Sequence, residues 1–348
     1  MDVLGFDKLI YHHDRIMGIA EDRASFPVHI TASLGNFCNH KCRWCTVYAT
    51  HQDAVRHMDY DRFTAFIEKA AAQGLKSLAY VGNSEPPAYP RFRDLINFVH
   101  DLGIEQAMFT NGYLIDRFED DISRFFTYIR ISLDAGTEEV HNEMHQVKGH
   151  FPKIIRNIRR LADRKQDGFP TIGVQFATHH LNMHDLDACA QVVKEAGAEY
   201  LSVKPVFNWG AAVGEFIEPN NLTPEVLDPH VAKLRADHED KNFKIFYRPY
   251  QVQSVAEDRN VLTYDRCVAG FFSLSVYEDE RVVCCTPHKV QVGTLSDEPA
   301  DIVRQISETS RGIDLSKCPP SCRYHPLNEL VDTVLNQDRA RRFHPNFL

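Results

Sequence analysis

The chain has 348 residues, 43% hydrophobic and 25% charged, with a formal net charge of −9. That is enough chain for one large domain plus a smaller one, and the acidic balance excludes a general affinity for nucleic-acid phosphates. No apolar run of about 18 residues is present, so no membrane-spanning helix is expected. The N-terminal MDVLGFDKLIYHHDRIMG lacks the basic and apolar segments of a secretory signal. Nine cysteines without such a signal point to reduced thiols and metal binding in the cytoplasm.

Residues 1–25 form an N-terminal extension containing Tyr11-His12-His13-Asp14-Arg15. From 26 to 210 short apolar runs alternate with amphipathic segments. The first predicted strand is Val28–Ser33, followed by Cys38-Asn39-His40-Lys41-Cys42-Arg43-Trp44-Cys45. A helix is predicted over Tyr60–Ala72, where Phe63, Phe66, Ile67 and Ala70 share a face and Gly74 offers a cap. Strand Ser77–Val81 leads into Gly82-Asn83-Ser84-Glu85-Pro86-Pro87, and helix Phe92–Leu102 ends at Gly103. Strand Gln106–Phe109 runs into Thr110-Asn111-Gly112. Strand Tyr128–Leu133 is followed by Asp134 and His141. Helix Phe151–Arg164, strand Thr171–Ala177, helix His184–Ala196 and strand Tyr200–Pro205 complete the series. Six strands alternating with helices predict an α/β domain with a parallel sheet of βαβ units, whose sites lie at the C-terminal strand ends. Residues 211–260 read as a linker with one helix, Val226–His238. Residues 261–335 form a second small domain, and 336–348 a tail.

Three cysteines in a C-x3-C-x2-C run suit three corners of a cubane iron–sulfur cluster, leaving one iron without a protein ligand. Zinc is the competing reading, but it wants four ligands, and His40 inside the loop has poor geometry as the fourth.

The run resembles the C-x3-C-x-aromatic-C signature of the radical S-adenosylmethionine (SAM) enzymes, with Trp44 at the aromatic position. The resemblance implies a partial (β/α)6 TIM-like barrel and a 4Fe–4S cluster on Cys38, Cys42 and Cys45. It further implies SAM chelated to the open iron and cleaved to a 5′-deoxyadenosyl radical that removes a substrate hydrogen atom. The segment Gly82, Asn83, Ser84, Glu85 stands where the family has a Gly-Gly-Glu-Pro-like motif for the SAM amino group. Glu85 and Pro86 match, and Asn83-Ser84 replace the usual glycines. Asn111 lies in a family-like Thr-Asn-Gly turn. Ser132 stands where the family bonds SAM ribose or carboxylate. Asp134 follows it, and capping the next helix explains it equally well. Gln175 and Lys204 can point into the barrel. A buried Lys204 needs an anionic partner, whether substrate, SAM carboxylate or a structural salt bridge.

Five further cysteines, Cys267, Cys284, Cys285, Cys318 and Cys322, flank predicted strands Phe272–Tyr277 and Arg281–Cys285. This region resembles the SPASM or twitch extension of the same enzymes. The resemblance implies one auxiliary 4Fe–4S cluster on Cys267, Cys285, Cys318 and Cys322, with Cys284 as alternate to Cys285. A zinc ribbon on the same four residues is the alternative. Adjacent strand residues face opposite ways. Cys284 is therefore either core or a candidate hydrogen donor to a substrate radical, and Lys204 is a second candidate catalytic residue. Cys189 reads as a small core residue.

Two enzyme readings follow. One is a small-molecule enzyme acting on a sugar, aminocyclitol or nucleoside-like substrate by dehydrogenation, epimerisation, dehydration or decarboxylation, in natural-product or polysaccharide biosynthesis. The other is a maturase of ribosomally made peptides. The 25 residues before strand one are too few for the winged-helix leader domain many maturases carry, which favours the first. A third reading is a non-catalytic iron–sulfur or zinc protein. An electron donor such as flavodoxin or ferredoxin is expected, with no nucleic-acid or membrane partner. The sequence does not fix the oligomeric state.

Overall fold

The computed structural model describes residues 5–45, 54–207, 220–257 and 262–336. In chain order the barrel elements are α1 (His13–Ala20), β1 (His29–Ala32), α2 (Tyr60–Ala72), β2 (Ser77–Tyr80), α3 (Phe92–Asp101) and β3 (Glu105–Thr110). They continue with α4 (Glu119–Phe125), β4 (Phe126–Ser132), α5 (Glu138–His145), α6 (Phe151–Asp163), β5 (Thr171–Thr178), α7 (Leu186–Glu195) and β6 (Tyr200–Pro205). After these come α8 (Pro224–His238), β7 (Lys244–Tyr247), α9 (Pro249–Ala256), β8 (Ser273–Val276), β9 (Arg281–Cys285), β10 (Val290–Thr294), α10 (Pro299–Thr309) and α11 (His325–Leu335). Among the described residues no helix is long and apolar enough to cross a membrane.

All ten strands form one sheet, ordered β10-β9-β8-β1-β2-β3-β4-β5-β6-β7. Strands β1 to β7 run parallel in chain order, as right-handed βαβ units require. The strand twist coils the sheet into a partial barrel, and its two faces differ in chemistry. Ile30, Leu78, Met108, Ile129, Val174 and Leu201 point outward and are fully buried beneath the helices. Their neighbours Tyr128, Arg130, Ser132, Gln175 and Lys204 point inward and keep partial exposure. A parallel sheet covered on both faces reads apolar on both. Here only the outer face does, which leaves a polar lumen.

The linker reading of 211–260 needs correction. It contains β7, a seventh parallel strand paired with β6, and the helix α9. The pattern Lys244-Ile245-Phe246-Tyr247 has one deeply buried residue, Ile245, too short a signal to stand out as a strand. The C-terminal module is not detached either. β8 pairs in parallel with β1, Thr31 opposite Ser275, so the β8–β9–β10 hairpins extend the barrel sheet.

Loop-to-helix packing is tight where β4 gives way to α5. Asp185 Oδ2 accepts from the backbone N–H of Gly136 at 2.6 Å and Thr137 at 2.9 Å. A Cβ on Gly136 would lie 2.2 Å from the backbone nitrogen of Cys189, which is itself fully buried in α7. Gly136→Ala is therefore expected to destabilise the protein by roughly 1–3 kcal/mol or more, because backbone must move. Gly312→Ala, whose Cβ would meet only the Thr309 carbonyl at 3.6 Å, should stay within about 0.5 kcal/mol. Thermal melts of the two variants check this, and equal Tm values would contradict it.

Candidate active site

The cysteine run leaves the C-terminal end of β1 and docks on the end of α5. Helix ends expose carbonyls without partners, and two of these are taken by the loop. Lys41 N–H donates to His145 O at 3.1 Å, and Arg43 N–H to Met144 O at 2.9 Å. Cys45 N–H closes a turn on Cys42 O at 3.1 Å. Burial pushes the Cys38 thiol up to about 12, with the Glu85 carboxyl adding to it, and holds Cys42 well above its usual range. Thiolates here need a compensating cation, which iron would supply. A tetrahedral zinc with ~2.3 Å bonds holds sulfurs roughly 3.8 Å apart. Among the described residues, the only His, Cys, Asp or Glu set with all ligand atoms within 4.8 Å is His40, Cys42 and His145. The sulfurs of Cys38, Cys42 and Cys45 are not all within that distance of one another.

The residues expected to hold SAM surround this loop. Glu85 is buried; its Oε2 accepts from Asn111 N–H at 2.9 Å, and its Oε1 accepts from the Thr110 hydroxyl. Burial raises its carboxyl to about 7 against those hydrogen bonds. Asn111 Nδ2 donates to Asn39 Oδ1 at 2.7 Å and reaches Cys38 Sγ at 3.8 Å. Trp44 Nε1 donates to Asp134 Oδ2 at 3.1 Å, and its ring stacks on His179 at 5.8 Å. Asp134 has a left-handed backbone (φ 55°), and its Oδ1 accepts from Ala177 N–H at 2.7 Å. It therefore ties the ends of β4 and β5 to the cysteine loop and does not cap α5. Thr137 caps that helix, accepting from Val140 N–H. Ser132 and Gln175 face each other in the β4–β5 register.

Gly82 has φ 138°, and a Cβ there would meet Ser33 Cβ at 2.6 Å, so only glycine fits. Asn83 is held by Ser33 Oγ at 3.0 Å and by Glu278 Oε1 at 3.2 Å. Ser84 lies beside Leu34, Phe37, His57 and Tyr89. Lys204 sits on the lumen side of β6, opposite Ala177. Residues 46–53, just after Cys45, and 208–219 lie outside the described residues.

Sequence reasoning singled out His40 and His141 but missed the four-histidine wall they belong to. His141 and His145, one turn apart on α5, stack at 4.4 Å. His40 Nδ1 lies 3.0 Å from His145 Nδ1, and its Nε2 lies 2.9 Å from His150 Nδ1. His145 Nδ1 also lies 3.3 Å from Cys42 Sγ. Burial pushes His40 and His141 down to about 2, so both rings are neutral. The signal available was the i, i+4 spacing on a helix face.

In the C-terminal module Cys267, Cys285, Cys318 and Cys322 converge. Burial pushes Cys318 up to about 12, with Cys322, Cys267 and Cys285 all near enough to add to it. His288 Nε2 lies 3.5 Å from Cys318 Sγ, and Asn328 Nδ2 donates to Cys267 Sγ at 3.6 Å. Cys284 does not join them. It is buried on the other face of β9, where a Cβ on Gly270 would lie 2.9 Å from its own Cβ. Strand alternation turns Cys284 toward α10 and the core, away from the Cys285 face, with burial and then nearby Cys285 raising its thiol; no described residue on that face supports the hydrogen-donor or alternate-ligand role.

Residues 32–193 match the profile of the Radical SAM superfamily. The chain carries that domain, whose cofactors are a 4Fe–4S cluster and SAM. A tRNA-2-methylthio-N(6)-dimethylallyladenosine synthase of Thermus thermophilus is 26% identical over 153 residues, 39% of this chain and 32% of that protein. The chain thus matches about a third of the length of this curated relative. Streptococcus suis SuiB bound to precursor peptide SuiA superposes with TM-score 0.67 at 14% identity, covering 95% of this chain and 78% of that one. Native anSMEcpe with bound AdoMet superposes with TM-score 0.61 at 13% identity, covering 92% of this chain and 100% of that one. These likenesses establish a shared fold.

Glu85 gives a pH prediction for the metal-free protein. Its carboxyl rises from 4.5 to about 7 on folding. Between those values the folded chain keeps a proton that the unfolded chain has lost. Stability therefore falls as pH rises through the window, by about 3 kcal/mol at most. In Glu85→Gln this contribution vanishes. Urea midpoints at pH 5 and pH 8 should show a larger loss for wild type than for the variant, and equal losses would contradict the assignment.

Proposed function

On the premise of a radical SAM domain at residues 32–193, we propose that this enzyme abstracts a hydrogen atom from a small polar molecule held in the barrel lumen. The convergence of Cys38, Glu85, Asn111, Trp44 and Asp134 at the C-terminal end of the barrel carries the reading. The cluster on Cys38, Cys42 and Cys45, with SAM bound, supplies the 5′-deoxyadenosyl radical. The chain's own residues position the parts. Glu85, buried and protonated near neutrality, can give up its proton to pair with the SAM ammonium, while Thr110 and Asn111 hold its orientation. Asp134 fixes Trp44 and so the third ligand's loop. His145 in its Nδ1–H tautomer offers a donor to Cys42 sulfur, and hydrogen bonds to cluster sulfurs tune potential.

Cys267, Cys285, Cys318 and Cys322 are proposed to hold a second 4Fe–4S cluster that exchanges an electron with the substrate radical. The small-molecule reading rests on the polar lumen, which suits a sugar, aminocyclitol or nucleoside-like substrate undergoing dehydrogenation, epimerisation, dehydration or decarboxylation in a biosynthetic route. A ferredoxin or flavodoxin is proposed as reductant. One observation favours peptide substrates instead. The fold shared with SuiB, solved with its precursor peptide, extends over 95% of this chain.

Anaerobic reconstitution tests both clusters. Wild type should bind about eight irons per chain, and Cys38→Ala/Cys42→Ala/Cys45→Ala about four, with no 5′-deoxyadenosine formed on reduction. Four irons in wild type would remove the second cluster. Protease-treated, ultrafiltered cell extract should raise 5′-deoxyadenosine output. Stimulation that protease abolishes would favour the peptide reading.

Replacing His145 with Leu removes a donor to Cys42 and should make the reduction potential of the SAM-binding cluster more negative. Redox titration followed by electron paramagnetic resonance reads this, and an unchanged potential would contradict a role for His145 at the sulfur.

A further inference from the structure

The lumen holds basic side chains with no carboxylate of the described residues acting on them. On β4, Tyr128, Arg130 and Ser132 point inward; on β6, Tyr200, Ser202 and Lys204 do. Arg130 and Lys204 approach the Ser132–Gln175–Ser202 layer from below and above, because Arg130 pairs with Gly173 and Lys204 with Ala177. The guanidinium of Arg130 sits over the Phe109 ring, its central carbon 3.7 Å from the ring centre.

Arg323 brings a third cation from the C-terminal module. It immediately follows Cys322, donates to Tyr324 Oη at 2.6 Å, and Tyr324 Oη donates to Ser273 Oγ on β8 at 2.8 Å. Its charge is felt by Arg130, Lys204, Tyr128 and His29.

Two polar atoms here lack a hydrogen-bond partner among the described residues. Arg130 Nε and Tyr200 Oη are buried without a hydrogen-bond partner, and Tyr200 lies across Gly173, the residue paired with Arg130. Lys204 makes no hydrogen bond or ion pair with any described residue. The structural salt bridge considered for it is therefore not found among them. Burial and the like charges of Arg130, Arg248 and Arg323 hold its ammonium well below its usual range. Uncompensated buried cations are costly unless a ligand pairs with them.

We propose that the substrate carries an anionic group, phosphate or carboxylate, that seats among Arg130, Lys204 and Arg323. This rests on the reading that the lumen is the substrate chamber. Arg130 offers a planar fork and Lys204 a point charge, a pairing suited to an oxyanion. The anion fixes the substrate's orientation and leaves its uncharged part for the reaction.

The test uses the full chain, anaerobically reconstituted and saturated with SAM, titrated calorimetrically with inorganic phosphate and with malonate. Saturable binding of at least one is expected, weakened tenfold or more in Arg130→Met, Lys204→Met and Arg323→Met. Lys244→Met, exposed at the end of β7, should match wild type. Tighter phosphate binding points to a phosphorylated substrate, and tighter malonate binding to a carboxylate. No binding of either anion, or unchanged affinity in all three variants, overturns the proposal. So does an equal loss of SAM affinity in Lys204→Met, which would assign the cations to the SAM carboxylate. Wild type that forms no 5′-deoxyadenosine on reduction instead removes the enzyme reading itself. Arg323 lies on a loop, so its variant stays informative if a strand variant folds poorly.

Discussion

Everything at this site is referenced to the pairing of β1 with two parallel neighbours, β2 on one side and β8 on the other. Its outward residues, Ile30 and Ala32, lock it into the core. Its inward residues tie the modules together. Thr31 Oγ1 lies 2.9 Å from Ser275 Oγ on β8, and Ser33 Oγ donates to Glu278 Oε2 at 2.9 Å while accepting from Asn83 N–H. The cysteine loop leaves the end of this strand, the Gly82–Glu85 loop is pinned to Ser33, and Glu278 belongs to the turn between β8 and β9. Four residues thus set the relative positions of the cysteine loop, the motif expected to hold SAM, and the C-terminal module. A side chain at Gly82 would force the first two apart, since it would overlap Ser33.

The second constraint is electrostatic. Carboxyls sit at the rim of the lumen, with Glu85 and Asp134 buried beside the cysteine loop. Basic side chains sit within it, at Arg130 and Lys204, both disfavoured in charged form by burial until an anion pairs with them. Beside the cysteine loop His40 and His141 stay neutral, because burial and the neighbouring histidines keep them from protonating. This order separates ligand charges of opposite sign along one chamber. An ammonium finds a partner at Glu85, and an oxyanion finds one deeper. Neither set is satisfied by the other within the protein, which is what a chamber built to receive charged ligands requires.

Much of this was legible in the sequence, and the reasons are local. Tyr60–Ala72 is both the predicted and the observed helix, since its apolar stripe and Asp59 cap act within the segment. The six barrel strands were found because each carries an unbroken outward apolar set, with ends off by one or two residues. Glu85, Asn111 and Ser132 were reached only through family resemblance, because an isolated Glu-Pro or Asn-Gly reads as an ordinary turn. What escaped depends on tertiary placement. β7 buries only Ile245 deeply where β1 and β2 bury three residues each, and the parallel pairing of β8 with β1 joins positions far apart in sequence. The histidine wall draws on three segments, with only the His141–His145 spacing visible beforehand. Whether Cys284 or Cys285 faced the other cysteines was a matter of strand parity, which the local pattern left open.

Placing Arg323 next to Cys322 has a further consequence for the proposed chemistry. The loop that supplies the last ligand of the proposed second cluster also supplies one cation of the proposed anion site. Tyr324, the following residue, is bonded to Ser273, one strand away from β1. A substrate anion drawn to Arg323 would therefore rest against the same loop that holds the proposed electron acceptor. Binding and electron exit would share one loop, tied through Tyr324 to Ser273 on β8 and so to the β1–β8 pairing. Such an arrangement lets the substrate's charged end report its arrival to the module that must later take its electron, with no moving part between them.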